Sequence, residues 1–184
     1  RVRRARSWTP TLRIDHFRGF SAYFSVPVDA ENARSGHWVD GPGAAVFEAI
    51  DRELGAHITI AEDLGEIDEA VHELRDATGM LGTRVVMFGF GDEDSIHHPD
   101  AIQSDTVAYT GTHDNDTLVG WFDSLDEAER IDIASTLDCK PDSQAVAAQM
   151  VRAALGSDAR WAVIPIQDVL ALDGRARMNI PGTP

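Results

Sequence analysis

Three stretches of the sequence place charged or polar residues where apolar runs end, and each has the residue types for chemistry. In "TLRIDHFRGF" (11–20), Arg13 and Asp15 sit two apart among Leu12, Ile14 and Phe17. On a strand that spacing turns both side chains to one face. An arginine beside a buried carboxylate lowers its pKa and keeps it ionised, and an ionised, desolvated carboxylate is a nucleophile. The same pattern also fits a structural buried ion pair. In "ITIAEDLGEI" (58–67), Glu62 and Asp63 follow an apolar run and precede Gly65. Adjacent acids there could bind a metal, or one could be a general acid with a raised pKa. Acids also gather at helix N-termini without further purpose. In "YTGTHDNDTLVGW" (109–121), five polar residues, Thr112 to Asp116, follow another apolar run. Asp and Asn suit a plain turn. The density of His113, Asp114, Asn115 and Asp116 favours a site, either for a metal or for a carboxylate that stabilises developing positive charge.

The elements that must position these groups alternate. Strand-like runs are expected at Leu12–Phe17, His57–Ala61, Arg84–Phe90, Thr106–Thr110 and Trp161–Ile166. Helix-like stretches lie between most of them. "GPGAAVFEAIDRELG" has Pro42 near its start and closes on Gly55. "EIDEAVHELRDATG" puts Ile67, Val71 and Leu74 on one face and ends at Gly79. "SLDEAERIDIASTL" carries acids in its first turn, and "DSQAVAAQMVRAALG" is alanine-rich and ends on glycine. Alternation of this kind predicts an α/β fold with parallel strands covered by helices. Periodicity leaves two architectures open, a doubly wound sheet and part of an eight-stranded barrel; both carry active groups at the C-terminal ends of their strands. No glycine-rich phosphate fingerprint follows any strand.

Composition narrows the chemistry. The 184 residues suffice for one domain with a core. A net charge of −15 argues against nucleic acid and against anionic membranes as partners. Lys140 is the only lysine among 16 basic residues, and acidity with lysine scarcity fits adaptation to high salt. No apolar run approaches the roughly 18 residues of a membrane span. The basic N-terminus "RVRRARSW" lacks the apolar region of a secretory signal. A single cysteine, Cys139 in "TLDCKPD", allows no internal disulfide and fits a cytoplasmic location. With no partner constellation around it, Cys139 reads as structural.

Acids at three strand ends can converge on one pocket, which suits glycoside chemistry. There the transition state resembles an oxocarbenium ion, and two carboxyl groups share the work. Tyr23, Trp38, Tyr109 and Trp121 could stack on sugar rings, although each alone fits core packing equally.

Five motifs in order give the sequence a resemblance. "RIDHFRGF", "GHWVDGPG", "ITIAEDLGEI", "YTGTHDNDTLVGW" and "ARMNIPGT" together resemble the 4-α-glucanotransferases (amylomaltases) of glycoside hydrolase family 77, in the α-amylase superfamily. The likeness runs from about Thr11 to Thr183. It implies a (β/α)8 TIM barrel of which this chain holds strands four to eight, as a C-terminal part without the first three strands. It implies transfer of α-1,4-glucan segments to a glucan or glucose with retention of configuration, and no cofactor or metal. Asp15 matches the nucleophile, Glu62 the general acid/base and Asp114 the carboxylate that stabilises the transition state. Arg13 and His113 match active-site partners of the nucleophile and the sugar, and Asn179 a substrate contact. The retaining mechanism expects the Asp15 and Glu62 carboxyls about 5–5.5 Å apart. The partners implied are maltooligosaccharides, glycogen or starch. Activity of the chain would also need a complementary N-terminal polypeptide to supply the missing strands. Three other readings stand beside this one: an α-glucan hydrolase of the same superfamily, a metal-dependent phosphohydrolase built on the His113–Asp114 pair, and an inactive fragment.

Overall fold

The computed structural model describes residues 1–92, 94–177 and 179–182. Met178 and Thr183 of "ARMNIPGT" therefore lie outside the described residues. The chain forms two units, residues 1–83 and residues 84 onward.

In the first unit, a short helix α1 (Val2–Arg6) leads into strand β1 (Thr11–Ile14). Helix α2 (Arg18–Ser21) and a hairpin of β2 (Ala22–Ser25) and β3 (His37–Asp40) follow. Then come α3 (Ala44–Leu54), β4 (Ile58–Ala61) and α4 (Glu69–Thr78). Strands β1 and β4 run parallel, Thr11 opposite Ile58 and Ile14 opposite Ala61. An isolated parallel bridge joins Ile60 to Leu81. The helices start and stop where their local chemistry dictates. The Asp68 side chain accepts from the Val71 amide at the start of α4, and Gly79 ends it in the left-handed conformation. Phe17, Phe47, Ala61, Val71, Leu74 and Met80 make the core. It is closed by the rings of Phe17, Phe20 and Phe47, with centroids 4.9–6.2 Å apart.

The strands of the second unit are β5 (Gly82–Val85), whose first two residues still belong to the first unit, β6 (Thr106–Tyr109) and β7 (Trp161–Val163), in the order β5-β6-β7. Strands β6 and β7 are parallel, with Val107 opposite Trp161. Helices α5 (Leu118–Ser124), α6 (Glu127–Thr136), α7 (Ser143–Gly156) and α8 (Ile166–Val169) complete it. Helix α6 carries a capping box between Asp126 and Glu129. Helix α7 buries Val146, Ala147, Met150 and Ala154, one stripe at helical spacing, and touches α5, α8, β6 and β7. Among the described residues, no helix is long and apolar enough to cross a membrane.

Several expected elements are corrected. The first strand ends at Ile14, not Phe17, because His16 turns into the left-handed region (φ 49°) and Phe17 opens the next helix. The run Arg84–Phe90 is a strand only to Val85 and then winds into a 3-10 turn, Val86–Gly89. The run Trp161–Ile166 stops at Val163, since Pro165 has no amide to donate and starts α8 instead. The hairpin β2–β3 was not expected: its strands are four residues each, joined by a long polar loop.

Candidate functional site

The first unit brings Asp15 and Glu62 side by side. Ile14 and Ala61 pair across the parallel strands, and each acid is the next residue. The chain beyond them is stitched: the Glu62 amide donates to the Ile14 carbonyl at 2.9 Å, and the Phe17 amide to the Glu62 carbonyl at 3.0 Å. The left-handed turn at His16 aims its amide at Glu62 Oε2, 2.8 Å away, while the Leu64 amide reaches Oε1 at 3.2 Å. Both Glu62 oxygens are thus held by backbone donors, which fixes the carboxyl beside Asp15. Arg13 Nη2 lies 3.1 Å from Asp15 Oδ1. This pair is not the buried one the spacing allowed. The Arg13 side chain is 23% exposed and that of Asp15 63%, so the carboxylate faces outward beyond the strand end.

Glu62 and Asp63 point opposite ways, as successive residues of an extended chain must. Asp63 is buried, accepting from the Thr83 amide at 2.6 Å and from Arg75 Nη1 at 3.0 Å. It locks α4 and the start of β5 to the end of β4, and does not act beside Glu62 as a chelating pair. The hydrogen bonds to Asp76 and Asp63 hold the Arg75 guanidinium above its ordinary range, against the opposing effect of its burial.

The second unit presents "THDND" as a loop between β6 and α5. The loop is braced from within: Asn115 Oδ1 accepts from the Thr112 amide at 2.8 Å and from its hydroxyl at 2.9 Å. His113 Nε2 lies 3.4 Å from Asp114 Oδ2, both side chains about half exposed. The segment after α8 grips the loop from outside. The Asn179 side-chain amide donates to the His113 carbonyl at 2.9 Å, and Arg177 Nη2 to the Asp114 carbonyl at 3.4 Å. Arg177 Nη1 also stands 3.6 Å from Asp116 Oδ2. Here Asn179 is spent on the loop backbone.

Sequence reasoning missed Arg177, Asp168 and Thr110. Thr110 Oγ1 donates to Asp168 Oδ2 at 2.5 Å, and the Leu118 amide donates to Asp168 Oδ1 at 2.8 Å. The available signal was a lone acid in the apolar run "VIPIQDVLAL". Burial pushes the Asp168 carboxyl up, and nearby Asp116 adds to this. Burial, with Asp138 and Asp142 nearby, also pushes the Cys139 thiol up, away from a reactive thiolate. Of the four aromatics considered, Tyr109 is buried core, while Tyr23 and Trp38 stand about half exposed on the hairpin. Trp38 is capped by the Arg18 guanidinium 4.1 Å from its ring centroid. Among the described residues, no three His, Cys, Asp or Glu side chains are grouped to hold a metal ion.

A family model described as "4-alpha-glucanotransferase" (Glyco_hydro_77) matches residues 1–184. The chloroplast/amyloplast 4-alpha-glucanotransferase of Arabidopsis thaliana is 42% identical over all of this chain and 32% of its own length. That of Streptococcus pneumoniae is 42% identical over 94% of this chain and 34% of its own length. A solved amylomaltase from Streptococcus agalactiae, in complex with acarbose, superposes with a TM-score of 0.91 at 33% identity. That match covers 99% of this chain and 37% of the other. An amylomaltase from Corynebacterium glutamicum, at 17% identity and a TM-score of 0.68, shares the fold. The chain spans about a third of the length of the curated relatives it matches.

Proposed function

Because the chain belongs to the 4-alpha-glucanotransferase family (glycoside hydrolase family 77), we propose that the protein carrying it transfers α-1,4-glucan segments between maltooligosaccharides by a retaining double displacement. Asp15 attacks the anomeric carbon, forming the glycosyl ester as the bond to the leaving oxygen breaks. Glu62 gives that oxygen its proton, then takes a proton from the acceptor hydroxyl that displaces Asp15. The role of Asp114 is to stabilise the positive charge that builds on the sugar. Arg13 holds the Asp15 carboxylate, His113 serves the sugar pocket, and Asn179 supports it through the His113 carbonyl. The observation that carries the reading is the register of β1 and β4, which sets Asp15 and Glu62 level at the ends of neighbouring parallel strands. Such strands lie about 4.8 Å apart, a spacing that suits a nucleophile and acid/base pair of the retaining type. Parallel pairing, with acids following β1, β4 and β6, supports reading the strands as four to eight of a (β/α)8 barrel.

The test is maltotriose disproportionation in molar salt, read by chromatography. It uses this chain and a chimera in which the chain replaces the matching third of the Streptococcus pneumoniae relative. Glucose plus longer oligosaccharides, lost in Asp15→Asn and Glu62→Gln, is the expected result. Shorter products alone would mean a hydrolase, and wild-type product levels from both variants would overturn the residue assignment.

A further inference from the structure

The buried acid of α8 lies outside the reaction just described, yet it touches both ends of the loop that bears Asp114. Thr110 is the residue after β6, and Leu118 is the first residue of α5. Between them run only residues 111–117, with His113 and Asp114 near the middle. One carboxylate, 3% exposed, accepts from the Thr110 hydroxyl with one oxygen and from the Leu118 amide with the other. We propose that Asp168 is a positioning residue for glucan transfer, closing the base of the 111–117 loop so that Asp114 is presented in one place. The inference rests on the transferase reading above.

The choice of residue supports it. The Leu118 amide is an obligatory donor and the Thr110 hydroxyl is used here as one, so the clamp needs two acceptors in a single short side chain. An ionised carboxylate has two acceptor oxygens and no donor, which no other side chain of its size offers. An asparagine fills the same volume, but keeps one acceptor and turns an amide donor toward the other partner. The carboxylate is also a costly choice here, buried and close to the acidic Asp116. A group kept against its own solvation has been placed for what it holds. Around it the loop is loaded from other sides, by Arg177 on Asp116 and the Asp114 carbonyl, and by Asn179 on the His113 carbonyl. Asp168 is the fixed point of this set. It reaches the loop from 50 and 58 residues away in sequence, through two short bonds at buried sites. Displacing a reacting group by about 1 Å can cost on the order of 10²-fold in rate. A slack loop should therefore act on turnover and leave ground-state binding nearly alone.

The experiment uses Asp168→Asn and Thr110→Val, separately and together, in the whole protein that carries this chain. Three quantities are read: kcat and KM for maltotriose transfer per folded molecule, the melting temperature, and hydrogen exchange of the amides at 112–118. The clamp predicts a kcat lowered by about tenfold or more with KM within about threefold, the pattern of a loss confined to the transition state. It predicts faster exchange across the loop in both single variants. The double variant should be no worse than the poorer single, because both remove one link. Asp168→Asn should keep its melting temperature, since it also removes a buried charge. A kcat within about twofold of wild type, in a variant whose loop exchanges faster, would overturn the positioning role. So would a lower melting temperature with an unchanged kcat in the folded fraction, which is the mark of a purely structural bond. If the wild-type protein makes no transfer products, the proposed function fails, while the exchange data still decide whether Asp168 closes the loop.

Discussion

Asp63→Asn separates the two neighbouring acids most sharply. In the native chain the Asp63 carboxylate is buried and accepts from the Thr83 amide and Arg75 at 2.6 and 3.0 Å. The amide variant keeps one acceptor oxygen and turns its NH2 toward whichever donor remains. A hydrogen bond to a charged group is worth about 1.5–3 kcal/mol net. Breaking a buried ion pair and stranding one partner costs about 3–5 kcal/mol. Arg75 is not stranded fully, because Asp76 stays 2.9 Å from its Nη2, and Asp76 is mostly exposed. The expected loss is therefore near the lower end, about 3 kcal/mol. For a chain of this size that lowers the melting temperature by roughly 6–12 °C. Glu62→Gln should do the reverse, abolishing transfer while melting within about 3 °C of wild type, since among the described residues its carboxyl is held by the His16 and Leu64 amides and by no charged partner. Thermal unfolding followed by circular dichroism, beside the maltotriose assay, reads both. An Asp63→Asn protein that melts within about 2 °C of wild type would refute the claim that this acid locks α4 to β4.

Gly120→Ala should destabilise by about 1–2 kcal/mol in a urea titration, although alanine normally gains about 1 kcal/mol over glycine within a helix. Its Cβ would stand 2.5 Å from Asp116 Oδ1, and Asp116 is tied to the Thr117 amide and to Arg177. A more stable variant would show that Asp116 can move freely. Asp126→Ala removes the capping box of α6 and should cost about 1 kcal/mol, seen as a shifted denaturation midpoint with unchanged slope. Asp168 also makes stability depend on pH. Burial raises its carboxyl in the folded chain, with Asp116 beside it and Arg177 paired to Asp116. The folded state therefore binds this proton more tightly than the unfolded chain does. That contribution is complete below the ordinary carboxyl range and is lost as pH rises through the raised value. Asp168→Asn has no proton to lose, so urea midpoints measured across this window should fall less steeply with pH than in wild type.

The placement of Asp15 and Glu62 at neighbouring strand ends was legible because both acids follow apolar runs, and those runs survive as strands in the structure. Three of the five runs were too long. Each break comes from backbone events that apolar content does not report: a left-handed histidine, a 3-10 turn through apolar residues, and a proline that starts a helix. The burial of Asp63 and the exposure of Asp15 were not legible either. Sequence gives the residue type, while the partners that decide burial, Thr83 and Arg75, come from 20 and 12 positions downstream. Asp168 was hidden for the same reason at longer range. A single acid among apolar residues has no local pattern to mark it, and its contacts appear only when β6, α5 and α8 are in place.

The reach of that last contact also orders events during synthesis. Residues 111–117 leave the ribosome some 50 positions ahead of the carboxylate that fastens them. At translation rates of about 5–20 residues per second, the nascent loop spends roughly 3–10 s with its base unfastened. A pause or cleavage between α5 and α8 would release a chain that carries Asp114 on an untethered loop. In a nascent chain, protection of the 111–117 amides from exchange should therefore follow the emergence of Asp168 rather than that of Asp114.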